Sequence, residues 1–275
     1  MTPARTPPLA QIEITTICNY RCFYCAGRDM PQRHMPMEQF LGILDRLPAD
    51  VRRVSLQGEG EPTAHNRFRD MVSAVQQRGL TPYTITNASL IRDPQWFAQA
   101  FPQIGISIDT LDAELSETIG RIRLPRALKG VDRLIAAMGA ERIVLHTVSF
   151  GQPLDAIRAW ARAKGFGKHV VQPLQGKPDY MRSYRLKVQR REPPADLGSD
   201  ASPALQCRYL ERDFMRYYTL DGTELPCCFI KDATSFRSKA ELRSSLAAGQ
   251  VPKACTGCRE VRRAVGPATV PIVAR

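Results

Sequence analysis

Between Cys18 and Cys25 the chain reads Cys-Asn-Tyr-Arg-Cys-Phe-Tyr-Cys, three thiols in eight residues at the spacing C-x3-C-x2-C. Thiolates this close can wrap one compact centre of a soft metal. Structural zinc sites close with four ligands, often as paired C-x2-C units. Three neighbouring thiols with no obvious fourth suit instead a cubane iron–sulfur cluster with one iron left open, and an open metal position belongs to catalysis. A zinc knuckle or a set of reduced surface thiols is the plainer alternative. The thiols follow directly on Ile12, Ile14 and Ile17 with threonines between, which read as a buried strand over 10–17. Holding the loop in one conformation costs roughly 1–2 kcal/mol of backbone entropy per residue. Metal–thiolate bonds would offset that cost, so the loop is expected to be disordered without its metal.

From that strand onward, strand and helix patterns alternate. Met37, Phe40, Leu41, Leu44 and Leu47 recur at helical spacing before Pro48, and Val51 to Gln57 reads as a second strand. A helix over 66–78 with Gly79 as its cap leads to a third strand, Leu80 to Thr86. Asp93-Pro94 opens a short helix in the favoured cap-then-proline order, before a fourth strand over Ile104 to Asp109. A long helical region, broken near Gly120 and Pro125, precedes a fifth strand over Ile143 to Ser149. A further helix closed by Gly165 precedes a sixth, His169 to Pro173. Strict alternation demands a parallel sheet, and right-handed crossovers put every strand's C-terminal end on one side. The cysteine loop, Gly58–Pro62, Asn87 and Asp109 all fall at such ends, where parallel α/β folds bind ligands. Periodicity alone does not separate a doubly wound sheet from a barrel.

The cysteine spacing, with Tyr24 at the aromatic position, resembles the radical SAM family signature C-x3-C-x-aromatic-C. The resemblance implies an α/β fold, an open partial (β/α)6 TIM-like barrel. It also implies that Cys18, Cys22 and Cys25 hold a [4Fe–4S] cluster whose open iron chelates S-adenosylmethionine (SAM). One electron would then split the sulfonium and leave a 5′-deoxyadenosyl radical, with a donor such as flavodoxin or ferredoxin as partner. In the family the cofactors carry the chemistry, and the protein orients and shields them. Gly60-Glu61-Pro62 resembles the family's GGEP-type motif in a GEGEP variant, which implies a SAM-binding strand edge. Alone, the same residues read as an ordinary turn. Ser107 and Asp109 look like the family's fourth-strand polar residues, although Asp109 reads equally as a cap on the next turn. Asn87 matches the Asn of the family's Thr-Asn-Gly, with Ala88 in place of the glycine. Arg121 and Arg123 suit either the SAM carboxylate or a solvated helix end, and His146 either a barrel-facing role or a satisfied core position.

The chain has eight cysteines, and the other five lie far from the first three. Cys207, Gly222, Cys227 and the pair Cys255-x2-Cys258 resemble the SPASM/twitch extension of radical SAM enzymes, in its short one-cluster form. The resemblance implies one auxiliary [4Fe–4S] cluster on Cys207, Cys227, Cys255 and Cys258, carried by a small C-terminal hairpin-helix extension. A structural zinc at the same thiols remains open. Asp221-Gly222 between Phe214–Leu220 and Thr223–Ile230 marks the hairpin, and Ser238 to Ala248 a short helix. Cys228 is left over, as an idle thiol, an alternative ligand or a catalytic hydrogen-atom donor. A fully ligated auxiliary cluster leaves no site for substrate, so its use would be electron transfer, which favours a net two-electron oxidation.

The expected organisation is an N-terminal arm (1–9), the barrel (10–176), a linker (177–206), the auxiliary domain (207–263) and a tail (264–275). A chain of 275 residues can bury about three quarters of its unfolded surface, so a real core is expected. No apolar run reaches the ~18 residues of a membrane helix, and the start lacks an apolar signal core, so a cytoplasmic protein is expected. The net charge is +12, partly from Arg182, Arg185, Lys187, Arg190 and Arg191, which read first as a solvated linker. An acidic substrate, a peptide partner or RNA is the alternative reading, although nucleic acid is not the expected partner. Because Ile12 already lies in the first strand, no peptide-recognition domain is expected before the barrel. The favoured substrate is therefore a small polar metabolite, with a ribosomally made peptide as the alternative.

Overall fold

The computed structural model describes residues 8–181, 204–211 and 215–264. Most of the predicted linker with its basic run, Phe214, most of the arm and nearly all of the tail lie outside these residues.

Strand β1 (Leu9–Ile12) alternates cleanly: Ala10 and Ile12 are fully buried on the helix side, whereas Gln11 is buried on the other. It pairs in parallel with β2 (Arg53–Leu56), which pairs with β3 (Thr81–Tyr83). Four further strands, β4 (Ile85–Thr86), β5 (Ile104–Ser107), β6 (Ile143–Ser149) and β7 (Lys168–Pro173), pair in parallel in that order. Between them lie α1 (Met37–Asp45), α2 (Phe68–Gln77), α3 (Pro94–Ala100), α4 (Ala113–Ile119), α5 (Leu124–Met138) and α6 (Asp155–Lys164). The core fills the space between strands and helices, with Phe40, Met71, Phe101, Val131 and Leu134 at its centre. Helix signals in the sequence act as expected: the Asp93 carboxylate accepts from Trp96 N at 3.0 Å, and Gly165 closes α6 at φ +74. The six predicted strand positions are thus present in the order of a partial TIM-like barrel.

Three of the predicted strands need correction. The first ends at Ile12, because residues beyond it pair with loops: Ile14 O accepts from Met35 N and Thr15 O from Gly60 N. The third is broken at Thr84, whose hydroxyl donates to Leu56 O at 2.8 Å while its carbonyl accepts from Gly105 N. Its first half serves β2 and its second half β5, so the sheet bends where the chain runs on unbroken. The fourth stops at Ser107, so Asp109 lies past the strand end.

After β7 come α7 (Pro178–Met181), β8 (Leu205–Gln206), α8 (Arg208–Glu211), β9 (Met215–Tyr218), β10 (Glu224–Leu225), α9 (Lys239–Ala247) and β11 (Arg262–Arg263). β9 and β10 form a hairpin turned at Gly222 with φ +77, as predicted, but the second arm, expected to run to Ile230, ends at Leu225. The sequence reading did not anticipate that β9 also pairs in parallel with β1, with Leu9 opposite Met215 and Gln11 opposite Tyr217. The barrel's sheet therefore extends into the C-terminal unit, which closes on itself through β8 and β11. Ser238 caps α9 by accepting from Glu241 N, and Glu241 answers by accepting from Arg237 N. No described helix is long and apolar enough to cross a membrane.

Candidate active site

The loop of Cys18, Cys22 and Cys25 is pinned at both flanks. Arg21 N donates to Gly120 O and Phe23 N to Ile119 O, each at 2.9 Å. Gly120, at φ +98, sits so close that a β-carbon there would lie 2.3 Å from Arg21 O. Tyr20, Phe23, Ile119 and Phe150 pack around the thiols, with Phe23 edge-on to Phe150. This apolar shell pushes the Cys18 thiol up to about 12 and Cys25 well above its ordinary value. Such thiols hold their protons until a cationic centre displaces them, which is the chemistry of a metal-binding loop. Among the described residues no group of three His, Cys, Asp or Glu side chains is arranged to hold a single metal ion. A cubane asks for less convergence, since each thiolate binds a different corner iron.

The Gly58–Pro62 segment lies against the approach to Cys18. Gly60 N donates to Thr15 O and Glu61 N to Ile17 O; a β-carbon on Gly60 would come within 2.6 Å of both carbonyls. Glu61 is 2% exposed, and its carboxylate accepts from Thr63 N, Thr86 Oγ1 and Asn87 N. Its side chain is thus consumed in tying the second strand end to the third. Asn87 donates to Asn19 Oδ1, inside the cysteine loop, at 2.9 Å. Ala88, where the family motif has glycine, keeps a glycine-like φ of +62. A third set meets at the fourth strand end. Tyr24 donates its hydroxyl to Asp109, Arg121 reaches Asp109 at 3.0 Å, and Arg121 also donates to Ser107 Oγ at 2.8 Å. Burial disfavours the guanidinium charge, but Asp109 and Tyr24 more than reverse this, so Arg121 stays firmly protonated. Asp109 also accepts from Val148 N. Of the resemblance-derived residues, Gly60 and Glu61 thus bond the chain just before the cysteine loop, and Asn87 bonds Asn19 within it. Tyr24 of the loop joins Asp109, which shares Arg121 with Ser107, while Pro62 begins the turn after Glu61. Arg123 only precedes α5, at φ +61, and no described contact carries its side chain to Asp109. His146 faces Tyr83, with Nε2 at 3.3 Å from the phenol oxygen.

The second set of thiols converges in the C-terminal unit. Cys207 precedes α8 and Cys227 follows β10, and Cys255 and Cys258 span a tight turn in which Cys258 N donates to Cys255 O. Burial raises all four thiols, Cys255 to about 12, and each also feels the charge of others in the set. No disulfide joins any of the cysteines. Lys177, 4% exposed, lies beside them and donates to Ala254 O at 2.5 Å. Its charge reaches Cys227, Cys255 and Cys258. A buried ammonium beside three of the four thiols suits an anionic tetrathiolate centre. Cys228 feels the charge of its neighbour Cys227 first, and then those of Lys231 and Glu59, so it lies between the thiol set and that ion pair.

Sequence reasoning missed Lys231, Lys177 and Glu13, and it left Glu59 as the alternative to Glu61 in the GEGEP motif, with alignment to the proline favouring Glu61. Glu59 and Lys231 form an ion pair, side chains 12% and 13% exposed. Lys231 Nζ reaches the Tyr217 hydroxyl at 3.2 Å, and that hydroxyl donates to Glu13 at 2.7 Å. The period-2 pattern of β1 puts Glu13 on the same face as Gln11, a signal that was legible; the others are joined only by tertiary contact.

A family model described as "Radical SAM superfamily" matches residues 12–163. Among curated relatives, GTP 3′,8-cyclase of Actinobacillus pleuropneumoniae is 31% identical over 184 residues, covering 60% of this chain and 52% of that protein. The tungsten-containing aldehyde ferredoxin oxidoreductase cofactor-modifying protein of Pyrococcus furiosus is 30% identical over 151 residues, covering 51% and 41%. The chain spans about half the length of the curated relatives it matches. Among solved structures, Streptococcus suis SuiB bound to precursor peptide SuiA aligns with a TM-score of 0.66 at 18% identity, covering 88% of this chain and 64% of that one. Native anSMEcpe with bound AdoMet and Cp18Cys peptide aligns at 0.57 and 14%, covering 92% and 86%. At these identities the likeness is one of fold.

Proposed function

Since the chain belongs to the radical SAM superfamily, we propose that it catalyses a net two-electron oxidation, a dehydrogenation, of a small polar metabolite. Cys18, Cys22 and Cys25 would hold the SAM-binding [4Fe–4S] cluster, and Cys207, Cys227, Cys255 and Cys258 one auxiliary [4Fe–4S] cluster. When bound, these groups supply the chemistry: one-electron cleavage of the sulfonium to a 5′-deoxyadenosyl radical, hydrogen abstraction from substrate carbon, and an acceptor for the second electron.

The protein's part is placement and shielding. Tyr20, Phe23 and Phe150 pack against the cysteine loop and would shield one side of its cluster from water. Glu61 locks the second and third strand ends into one surface, whose Gly60–Pro62 edge would receive the amino group of SAM. Asn87 ties that surface to the cysteine loop. Arg121, Ser107, Asp109 and Tyr24 form a pre-organised polar group at the fourth strand end, suited to the ribose and carboxylate of SAM.

The observation that carries the oxidation is the grouping of the buried thiols of Cys207, Cys227 and Cys255 and the half-buried thiol of Cys258 with Lys177, in a unit continuous with the barrel sheet. A closed cluster offers no substrate position and is suited to taking up an electron. A peptide substrate is the second reading, supported by the likeness to SuiB bound to its peptide over 88% of this chain. Reduced protein loaded with iron and sulfide, SAM and a metabolite deuterated at the oxidised carbon should yield labelled 5′-deoxyadenosine and a dehydrogenated product. Label from a peptide encoded beside the gene would support the second reading. Zinc without sulfide at the four thiols would overturn the oxidation.

A further inference from the structure

Glu59 occupies the position of the first glycine in the family's GGEP-type motif, beside the cysteine loop. Its side chain has room only because residue 27 is glycine: a β-carbon there would lie 2.3 Å from Glu59 Cβ. The Glu59 carboxylate accepts from Gly27 N at 3.2 Å, and its Oε2 lies 3.6 Å from Cys25 Sγ. While Cys25 carries a proton this contact is a hydrogen bond. Once the sulfur is an iron-bound thiolate, the carboxylate becomes a like charge at the same distance. The compensating cation comes from the other end of the chain. Lys231, four residues beyond Cys227, is ion-paired to Glu59 and lies 4.9 Å from the Tyr217 ring centre. Tyr180, Tyr217 and Glu13 also face this ammonium.

We propose that Lys231 is a positioning residue of the SAM-binding centre: through Glu59 it sets the electrostatics at Cys25, and so couples the C-terminal unit to the reduction potential of that centre. Carboxylate and ammonium act as a matched pair. Each alone would leave a buried charge next to the centre, and together they cancel. The inference rests on the SAM-binding half of the proposed function and not on the auxiliary centre.

The test is the midpoint potential of the SAM-responsive iron–sulfur signal, followed by electron paramagnetic resonance in the fully loaded protein. Four variants are compared with wild type: Lys231→Met, Lys231→Arg, Glu59→Gln and the double substitution Lys231→Met with Glu59→Gln. Lys231→Met should move the midpoint to more negative values, and Glu59→Gln to more positive ones. The double variant should return near wild type, and Lys231→Arg should retain the wild-type value. A merely structural role would lower loading in both single variants without opposite shifts. Coincident midpoints in loaded variants, or shifts of the same sign, would overturn the inference. If Lys231→Met takes up no iron, the opposed pair of Glu59→Gln and the double variant still decides it. Absence of any SAM-responsive signal in wild type would instead overturn the SAM-binding reading itself.

Discussion

Arg121 Nε lies 3.0 Å from Asp109 Oδ2, with the carboxylate shut off from solvent and the guanidinium side chain 11% exposed. The pair joins the loop after α4 to the end of β5, and Tyr24 brings the cysteine loop into the same contact. Removing one partner of a buried pair strands the other charge, at a cost of about 3–5 kcal/mol. Arg121→Met should therefore lower the urea midpoint by a corresponding amount, with Arg121→Lys intermediate. A midpoint within error of wild type in Arg121→Met would show that solvent reaches Asp109 after all.

The two thiol sets should load independently. Replacing Cys18, Cys22 or Cys25 by Ala should remove about four irons and four sulfides per chain, one cluster's worth. Replacing Cys255 or Cys258 should remove the other cluster and leave the SAM-responsive signal in place. Cys228→Ala should keep both clusters, since Cys207, Cys227, Cys255 and Cys258 already make up a complete set of four thiolates. Iron and sulfide analysis of each variant checks the assignment; loss of a cluster in Cys228→Ala would make Cys228 a ligand.

Lys177 bears on the second centre. The residue is 4% exposed, and its ammonium donates to Ala254 O, next to Cys255. A neighbouring positive charge stabilises the reduced, more negative form of a cluster. Lys177→Met should shift the auxiliary midpoint to more negative values and leave the SAM-responsive midpoint unchanged. An unshifted auxiliary midpoint at full iron content would contradict this.

His146 sets a dependence on acid. Burial, with Lys168 and His169 nearby, holds its imidazole down to about 4. Unfolded, the same side chain titrates near about 6.5. In that window the unfolded chain binds a proton that the folded chain refuses, so stability falls as pH drops below about 6.5 and is unaffected above it. His146→Gln should show a urea midpoint that falls less steeply than wild type over that range. Equal slopes would mean that His146 protonates freely in the fold.

Much of the architecture was legible because local periodicity and tertiary role agree. The helix spacing of Phe68, Met71, Val72 and Val75 and the cap-then-proline Asp93-Pro94 carry their own signals, and both helices form where expected. The cysteine loop and GEGEP were legible because their spacing is chemical. What stayed hidden depends on residues distant in sequence. The parallel pairing of β1 with β9 leaves no periodic trace, since Gln11 and Tyr217 lie some two hundred residues apart. Thr84 breaks the third strand through a side-chain bond to Leu56 O that its residue type does not announce. Glu59 stood only as the alternative to Glu61, because nothing local in the sequence points to its partner Lys231. Glu61 read as a ligand-edge residue, whereas its carboxylate serves Thr63, Thr86 and Asn87.

The measurement that bears most directly on the whole account is anaerobic turnover of SAM by reduced, iron-loaded protein, with 5′-deoxyadenosine and methionine quantified together. Wild type should release the two in equal amounts, and Cys22→Ala should release neither. Fully loaded and reduced wild-type protein that leaves SAM intact would contradict the assignment of this loop.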